Sequence, residues 1–254
     1  IQESAKFKER FYKTKNLVKK KRVLGSQRAL QFGGKFIEKN HCKLYNCSFL
    51  HISRERAFQE TMYLLLCGCG VGFSVQYCHN DLLPKIQKRS GEELFTIEDS
   101  IEGWADAVGV LMASYFREGD PQFKKYFGKR IVFDGLSVRP QGSLIDGQFI
   151  APGPGRLLES LENISKVIDK RLESTDVLHP IDSYDIIMHS AEAVLSGGVR
   201  RSATIAIFSP EDEEMCKAKT GNWFVDNKQR CRSNNSVAII EGKSDKKQFD
   251  EIFE

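Results

Sequence analysis

No stretch of the 254 residues approaches the ~18 consecutive apolar residues of a membrane-spanning helix. No signal-peptide pattern opens the chain either. Regular cysteine spacing is also missing. The seven cysteines (42, 47, 67, 69, 78, 216 and 231) are odd in number and irregularly placed, which excludes a secreted disulfide scaffold. A reducing cytoplasmic setting is the expectation. Cys67-Gly68-Cys69 is too tight for the usual zinc pair. It lies in the apolar run 62–75, where small buried thiols are ordinary, so no metal site is expected. Internal repeats and low-complexity tracts are absent. A starting methionine is absent too; the chain begins at Ile1 and reads as part of a longer product.

What is present suits a soluble globular protein with a sizeable core: 41% of residues are hydrophobic and 28% charged. The length fits one large domain or two small ones. Net charge is +4, and much of the excess crowds the N-terminus, at Lys6, Lys8, Arg10, Lys13, Lys15, Lys19, Lys20, Lys21 and Arg22. Such a run can touch nucleic acid, but no recognisable nucleic-acid module accompanies it. It reads as a solvated helix face, with no nucleic-acid partner expected.

Periodicity places the elements. Residues 1–22 read as a charged amphipathic helix and 23–34 as a turn-rich entry. Residues 44–52 alternate weakly and predict a strand containing Cys47. Residues 54–67 predict a helix, with apolar positions at 58, 62, 65 and 66. Residues 68–75 predict a buried strand entered by a tight turn. Helices are predicted over 97–116, 155–172 and 182–196, the last opened by Asp182 as a cap. Residues 140–155, rich in proline and glycine, predict a loop. Short strands are predicted at 131–134, 204–208 and 236–240, and a helix at 211–219. Helices alternating with short apolar strands argue for an α/β architecture.

The most informative stretch is Gly197-Gly198-Val199-Arg200-Arg201-Ser202-Ala203. Two glycines let backbone come close to a ligand. Two arginines offer forked donors suited to phosphates and base edges. A nucleotide-handling loop would be built this way; a tight turn with two solvated arginines is the plainer reading.

Five further motifs stand in order with it: Leu24-Gly-Ser-Gln-Arg-Ala-Leu30, Tyr45-Asn-Cys-Ser-Phe49, Gly68-Cys-Gly-Val-Gly-Phe-Ser-Val75, Val138-Arg-Pro-Gln-Gly142 and Arg232-Ser-Asn-Asn-Ser-Val237. Together, from about residue 23 to the end, they resemble the large catalytic chain of ribonucleotide reductases, in its adenosylcobalamin-dependent (class II) form. Residues 1–22, read as a basic helical segment, lie outside the resemblance. At 23–254 it implies an incomplete catalytic domain, the first half of a ten-stranded α/β barrel with a helical effector-binding region. In that family a cofactor generates a thiyl radical on one cysteine, which abstracts the substrate's 3′ hydrogen. A separate cysteine pair then supplies the reducing equivalents while the 2′ hydroxyl leaves as water.

Each site residue takes its role from that resemblance. Cys47 matches the first member of the reducing pair; read alone it is a buried, inert thiol. Ser26, Asn46 and the Cys69-Gly70 backbone match positions lining the substrate pocket. Ser26 is equally a turn residue, and the family's proline near Gly25 is missing. Gly197 to Ser202 match the loop that couples a deoxynucleotide effector to the substrate base. Asn234 and Asn235 are read either as ligand contacts or as local caps of a turn. The family's Asn-Pro-Cys-Gly-Glu radical loop is absent, as are the second reducing cysteine and the C-terminal redox cysteines. The implied partners are therefore a ribonucleotide substrate, a deoxynucleotide effector, the C-terminal half of the reductase and a thioredoxin-like reductant. Adenosylcobalamin is the implied cofactor, contacted mostly outside this segment. Two alternatives stand beside this: a di-iron dependent class I chain, and a nucleotide-binding regulatory module that has lost catalysis.

Overall fold

The computed structural model describes residues 2–145, 149–195, 203–242 and 246–253. Contacts divide the chain into two compact units, Ile1–Asn46 and Cys47–Glu254, so residues 23–46 group with the N-terminal helix. The first unit holds α1 (Gln2–Lys19), α2 (Gln27–Phe32), α3 (Lys35–Lys39) and a 3-10 turn at His41–Leu44. The expected turn-rich entry thus contains a helix. Ser26 starts it: its Oγ accepts from the Ala29 N–H at 3.1 Å, satisfying a donor that the first helical turn leaves unpaired.

The second unit runs β1 (Cys47–His51), α4 (Arg56–Leu66), β2 (Gly70–Ser74), α5 (Tyr77–Asn80), β3 (Glu92–Thr96), α6 (Ile101–Tyr115), β4 (Arg130–Asp134), β5 (Leu144–Ile145), β6 (Phe149–Ile150), α7 (Gly155–Arg171), α8 (Pro180–Leu195), β7 (Thr204–Phe208), α9 (Glu213–Cys216), α10 (Trp223–Asp226), β8 (Ser233–Val237) and α11 (Lys246–Phe253). β1, β2, β7 and β8 form one sheet in that order, every pair parallel. Strand order therefore follows chain order without reversal. β3 and β4 form a separate parallel pair, and β5 with β6 a small antiparallel one.

Helical periodicity explains which faces are buried. On α7 the residues Leu157, Leu161, Ile164 and Ile168 fall on one stripe and are buried. α4 does the same with Phe58, Met62 and Leu65. α6 is buried almost all round, from Gly103 to Tyr115, as expected of a helix threaded through a core. α7 packs on α8, and α4 packs on both α6 and α8. Between the helices and the four-stranded sheet lie Phe73 and Tyr184, with ring centroids 6.3 Å apart.

Several expectations are corrected. The last strand is 233–237, not 236–240: Ser-Asn-Asn-Ser has turn composition, but pairing with β7 fixes it as a strand. The helix expected at 211–219 is confined to Glu213–Cys216. The 140–155 loop contains the β5–β6 pair. Asp182 does not precede α8 but lies in its first turn, where its carboxylate accepts from the His179 N–H at 2.8 Å and pairs with Arg171 at 2.6 Å. It still serves the helix start, from the inside.

Candidate functional site

The four-stranded sheet has two unlike faces. In parallel pairing, directly opposed residues point the same way, and successive residues alternate. Ser48, Leu50, Val71, Phe73, Thr204, Ala206 and Asn235 therefore share the helix side. Contacts agree. Val71 packs with Leu65 and Ala191. Thr204 Oγ1 lies 3.8 Å from Met188 Sδ, and Tyr184 Oη donates to Asn235 Oδ1 at 3.1 Å. Burial pushes the Tyr184 phenol up to about 12, so it stays a neutral donor there.

The opposite face carries Cys47, Phe49 and His51 on β1, Gly70, Gly72 and Ser74 on β2, Ile205 and Ile207 on β7, and Asn234 on β8. Cys47, Phe49, His51, Ile205 and Asn234 are exposed on it. Cys47 stands opposite Gly70 at the N-terminal ends of the two strands. Beside it the face is kept low by glycine: a Cβ on Gly72 would come within 2.7 Å of Phe49 Cδ2 and 3.3 Å of Ile205 Cγ2. The face thus offers an accessible thiol, a glycine gap and an apolar strip of Phe49 and Ile205.

The turn before β2 explains how that rim is set. Gly68 takes φ +78°, a left-handed conformation that side chains resist. Its N–H bonds Leu65 O at 2.8 Å, and the Cys69 N–H bonds Leu64 O at 3.0 Å. This pair of bonds closes the C-terminus of α4 and turns the chain directly into β2. One of the two expected backbone donors, the Cys69 N–H, is thereby engaged in the turn. The Cys69 side chain is buried with Leu65 and Val71, and Cys67 is buried too, as expected of inert thiols.

At the other end of the face, His51 stacks on His79 with ring centroids 3.9 Å apart, and His79 Nδ1 lies 2.9 Å from Ser74 Oγ. Burial and the neighbouring His51 lower the His79 pKa.

The remaining expected residues fall as follows. In the first unit, Asn46 Oδ1 accepts from Arg28 Nε at 3.5 Å, and Arg28 Nη1 donates to Lys43 O at 3.3 Å. Ser26 is the α2 cap already described. Gly197, Gly198, Val199, Arg200, Arg201 and Ser202 lie outside the described residues. Their flanks are described: α8 ends at Leu195, and Ala203 O accepts from the Val71 N–H at 2.9 Å. Ala203, just before β7, thus lies at the same end of the sheet as Cys47. Asn234 sits on the open face and Asn235 on the helix side, so the two asparagines serve different faces. Sequence reasoning missed Phe49, Gly72 and Ile205 as neighbours of the thiol. The signal was the two-residue period of Cys47, Phe49 and His51 against the glycines at 70 and 72.

No family model matches the chain. Curated relatives do. It is 34% identical over 146 residues to the adenosylcobalamin-dependent ribonucleoside-triphosphate reductase of Lactobacillus helveticus (strain DPC 4571), covering 57% of this chain and 19% of that one. It is 32% identical over 154 residues to the enzyme of the same name from Lactobacillus gasseri, covering 60% and 20%. For that of Levilactobacillus brevis the figures are 30% over 165 residues, 65% and 20%. A solved structure described as a B12-dependent (class II) ribonucleotide reductase shares the fold, with a TM-score of 0.64 at 21% identity over 77% of this chain and 33% of that one. In sequence the chain is thus similar to enzymes named adenosylcobalamin-dependent ribonucleoside-triphosphate reductase, and in fold to a class II ribonucleotide reductase, and it spans about a fifth of the length of the curated relatives it matches.

Proposed function

We propose that this chain is the segment of an adenosylcobalamin-dependent ribonucleotide reductase that presents one reducing thiol, Cys47, to the substrate ribose. The observation that carries this reading is the position of Cys47: exposed, at the glycine-lined rim of the open sheet face, in a chain similar to enzymes of that name. Strand order following chain order suits a wall that curls into a barrel. Four such strands would be part of one half of a ten-stranded barrel, with its open face turned inward. The relatives' cobalamin-dependent naming weighs against a di-iron class I chain.

In this reading Cys47 and a second thiol, from polypeptide beyond this segment, act as a two-electron donor. Their S–H bonds break and an S–S bond forms. The ribose 2′ C–O bond breaks, a C–H bond replaces it, and the oxygen leaves as water. A dithiol, from a thioredoxin-like protein, then re-reduces the disulfide. The glycines at 70 and 72 let a sugar approach the sheet, and Phe49 with Ile205 forms an apolar flank that excludes water. Ser26, Asn46 and Gly70 are assigned to substrate oxygens. Gly197 to Ser202 are assigned to coupling a deoxynucleotide effector to base choice.

Adenosylcobalamin belongs to the complete enzyme in this reading. Around Cys47 the open face offers glycines and the apolar pair Phe49 and Ile205, and further along it carries His51, Ser74 and Asn234. In this reading the cofactor's contacts lie mostly outside this segment.

The test is deoxyribonucleotide formation by this chain joined to its continuing polypeptide, with dithiol, with and without adenosylcobalamin. Turnover is expected only with the cobalamin. Cys47→Ser is expected to abolish dithiol-supported turnover and leave effector binding unchanged; retained turnover in that variant would refute the assignment.

A further inference from the structure

Within the first unit, α1 stands without packing. From Ser4 to Lys19 its residues are exposed, with Leu17 alone half-buried, and no other element packs along it among the described residues. A lone helix of 18 residues gains little stability in water from propensity; most helices in proteins are held by the packing of an apolar face. α1 has such a face, and it is narrow. Ser4, Phe7, Phe11, Thr14 and Val18 follow one another at alternating steps of three and four residues, so they share one stripe. That period of about 3.5 residues is the period of a coiled-coil seam. Phe7 is 71% exposed and Phe11 54%, and Tyr12, outside the stripe, meets the Phe11 ring edge-on at 5.7 Å.

The borders of the stripe are mainly basic. Lys8 and Lys15 occupy one flank; Arg10 and Leu17 occupy the other, with Glu3 ahead of them in the first turn. Glu9, the remaining acid of α1, falls on the side away from the stripe. Lys8, Arg10 and Lys15 form no ion pair among the described residues. A second copy is therefore a poor occupant. In a parallel pair each Arg10 would face the other copy's Lys15, and only Glu3 would meet an opposite charge, at Lys8. In an antiparallel pair the lysine flanks would face each other. A membrane surface calls for a wider apolar face, whereas here Ser4 and Thr14 interrupt the stripe and charge runs along both borders.

We infer that α1 is a docking helix, whose stripe pairs as a two-stranded coiled coil with an acidic amphipathic helix of another polypeptide. The partner's apolar residues close over Phe7, Phe11 and Val18. Its flanking carboxylates meet Lys8, Arg10 and Lys15. Charge complementarity selects this occupant: the basic borders that repel a second copy attract a helix with acidic borders, and the aromatic stripe adds what a purely charged surface lacks. This inference is independent of the reductase reading.

The experiment uses the 254-residue chain and a fluorescein-labelled synthetic helix of three heptads, with leucine at both core positions and glutamate at both flank positions of each heptad. Anisotropy is expected to saturate below millimolar probe. Phe7→Ala/Phe11→Ala, which keeps helix propensity and removes the stripe, is expected to weaken binding by at least about tenfold. Lys8→Glu/Lys15→Glu is expected to weaken it by about tenfold and to bring in binding of the same probe with lysine in place of its glutamates. A probe of the same composition in scrambled order is expected not to bind. No saturation at millimolar probe, equal binding of the scrambled probe, or unchanged binding in either variant overturns the inference. So does a dimer in sedimentation that the probe fails to dissociate, since a second copy would then fill the stripe. Tighter binding to phosphatidylserine vesicles or to duplex DNA than to the probe overturns it too, in favour of a membrane or a nucleic acid.

Discussion

The two parallel sheets of the second unit begin from the same local chemistry and end differently. In the four-stranded sheet one face is packed by α4 and α8, and the other is open around Cys47. In β3–β4 the inner face packs on α6 and the 3-10 turn at Pro121–Tyr126, through Ile131, Phe95, Phe123 and Tyr126. There the outer face, with Leu94 and Val132, is exposed as well, and among the described residues no strand pairs with the second edge of β4. A face left open presents side chains, and so can carry a thiol and a glycine gap. An edge left open presents backbone donors and acceptors, and so invites another strand.

The contrast between faces can be broken most severely at phenylalanine. Phe73 is 0% exposed on the helix side, whereas Phe49 is 51% exposed on the open side. Phe73→Ala is expected to cost about 3–5 kcal/mol in urea denaturation. Phe49→Ala should cost under about 1 kcal/mol. Equal losses would show that the open face is packed after all. A smaller effect is expected at the glycine gap. Gly72→Ala should destabilise by about 1–3 kcal/mol, because its methyl meets the Phe49 ring. Adding Phe49→Ala to Gly72→Ala should recover part of that loss, whereas simple additivity would mean the two residues do not meet.

The smallest expected effect is a pH dependence at the far end of the face. The folded His79 pKa lies below the ordinary histidine value of 6.5, through burial and His51. The unfolded chain therefore binds the proton more readily. Stability from this group is full above about pH 6.5 and falls as pH drops through the range between the unfolded and folded values. A melting-temperature profile over pH 5–8 should slope in that sense and flatten in His79→Gln. An unchanged slope would place the titration elsewhere.

Much of this architecture is legible in the sequence where one physical signal dominates. The stripe at 157, 161, 164 and 168 fixes α7, and the β1 strand around Cys47 follows from alternation. Legibility fails where tertiary contacts decide. Ser-Asn-Asn-Ser at 233–236 becomes a strand only because β7 pairs with it and Tyr184 binds Asn235. β3, Glu-Glu-Leu-Phe-Thr, escapes because it is short and opens with two charged residues, and only its partner β4 identifies it. At the site, the role proposed for Cys47 came from motif order, whereas its glycine and phenylalanine neighbours needed the register. Ser26 shows the reverse: its cap on α2 is local chemistry, readable from the residue type alone.

The chain-order arrangement of the four strands has a consequence for how the molecule is made. β1, α4 and β2 are consecutive and can associate as soon as they are synthesised. The next strand of the sheet, β7, begins only at Thr204, after the whole stretch carrying β3 through α8. Closing so long a loop is entropically slow, and non-local pairing of this kind retards folding. Until β7 arrives, the Val71 and Val75 amides that will bond Ala203 and Ile207 remain bare on a hydrophobic strand. The intervening helices are thus also a timing element: their prior folding sets how long a nascent chain displays an aggregation-prone edge.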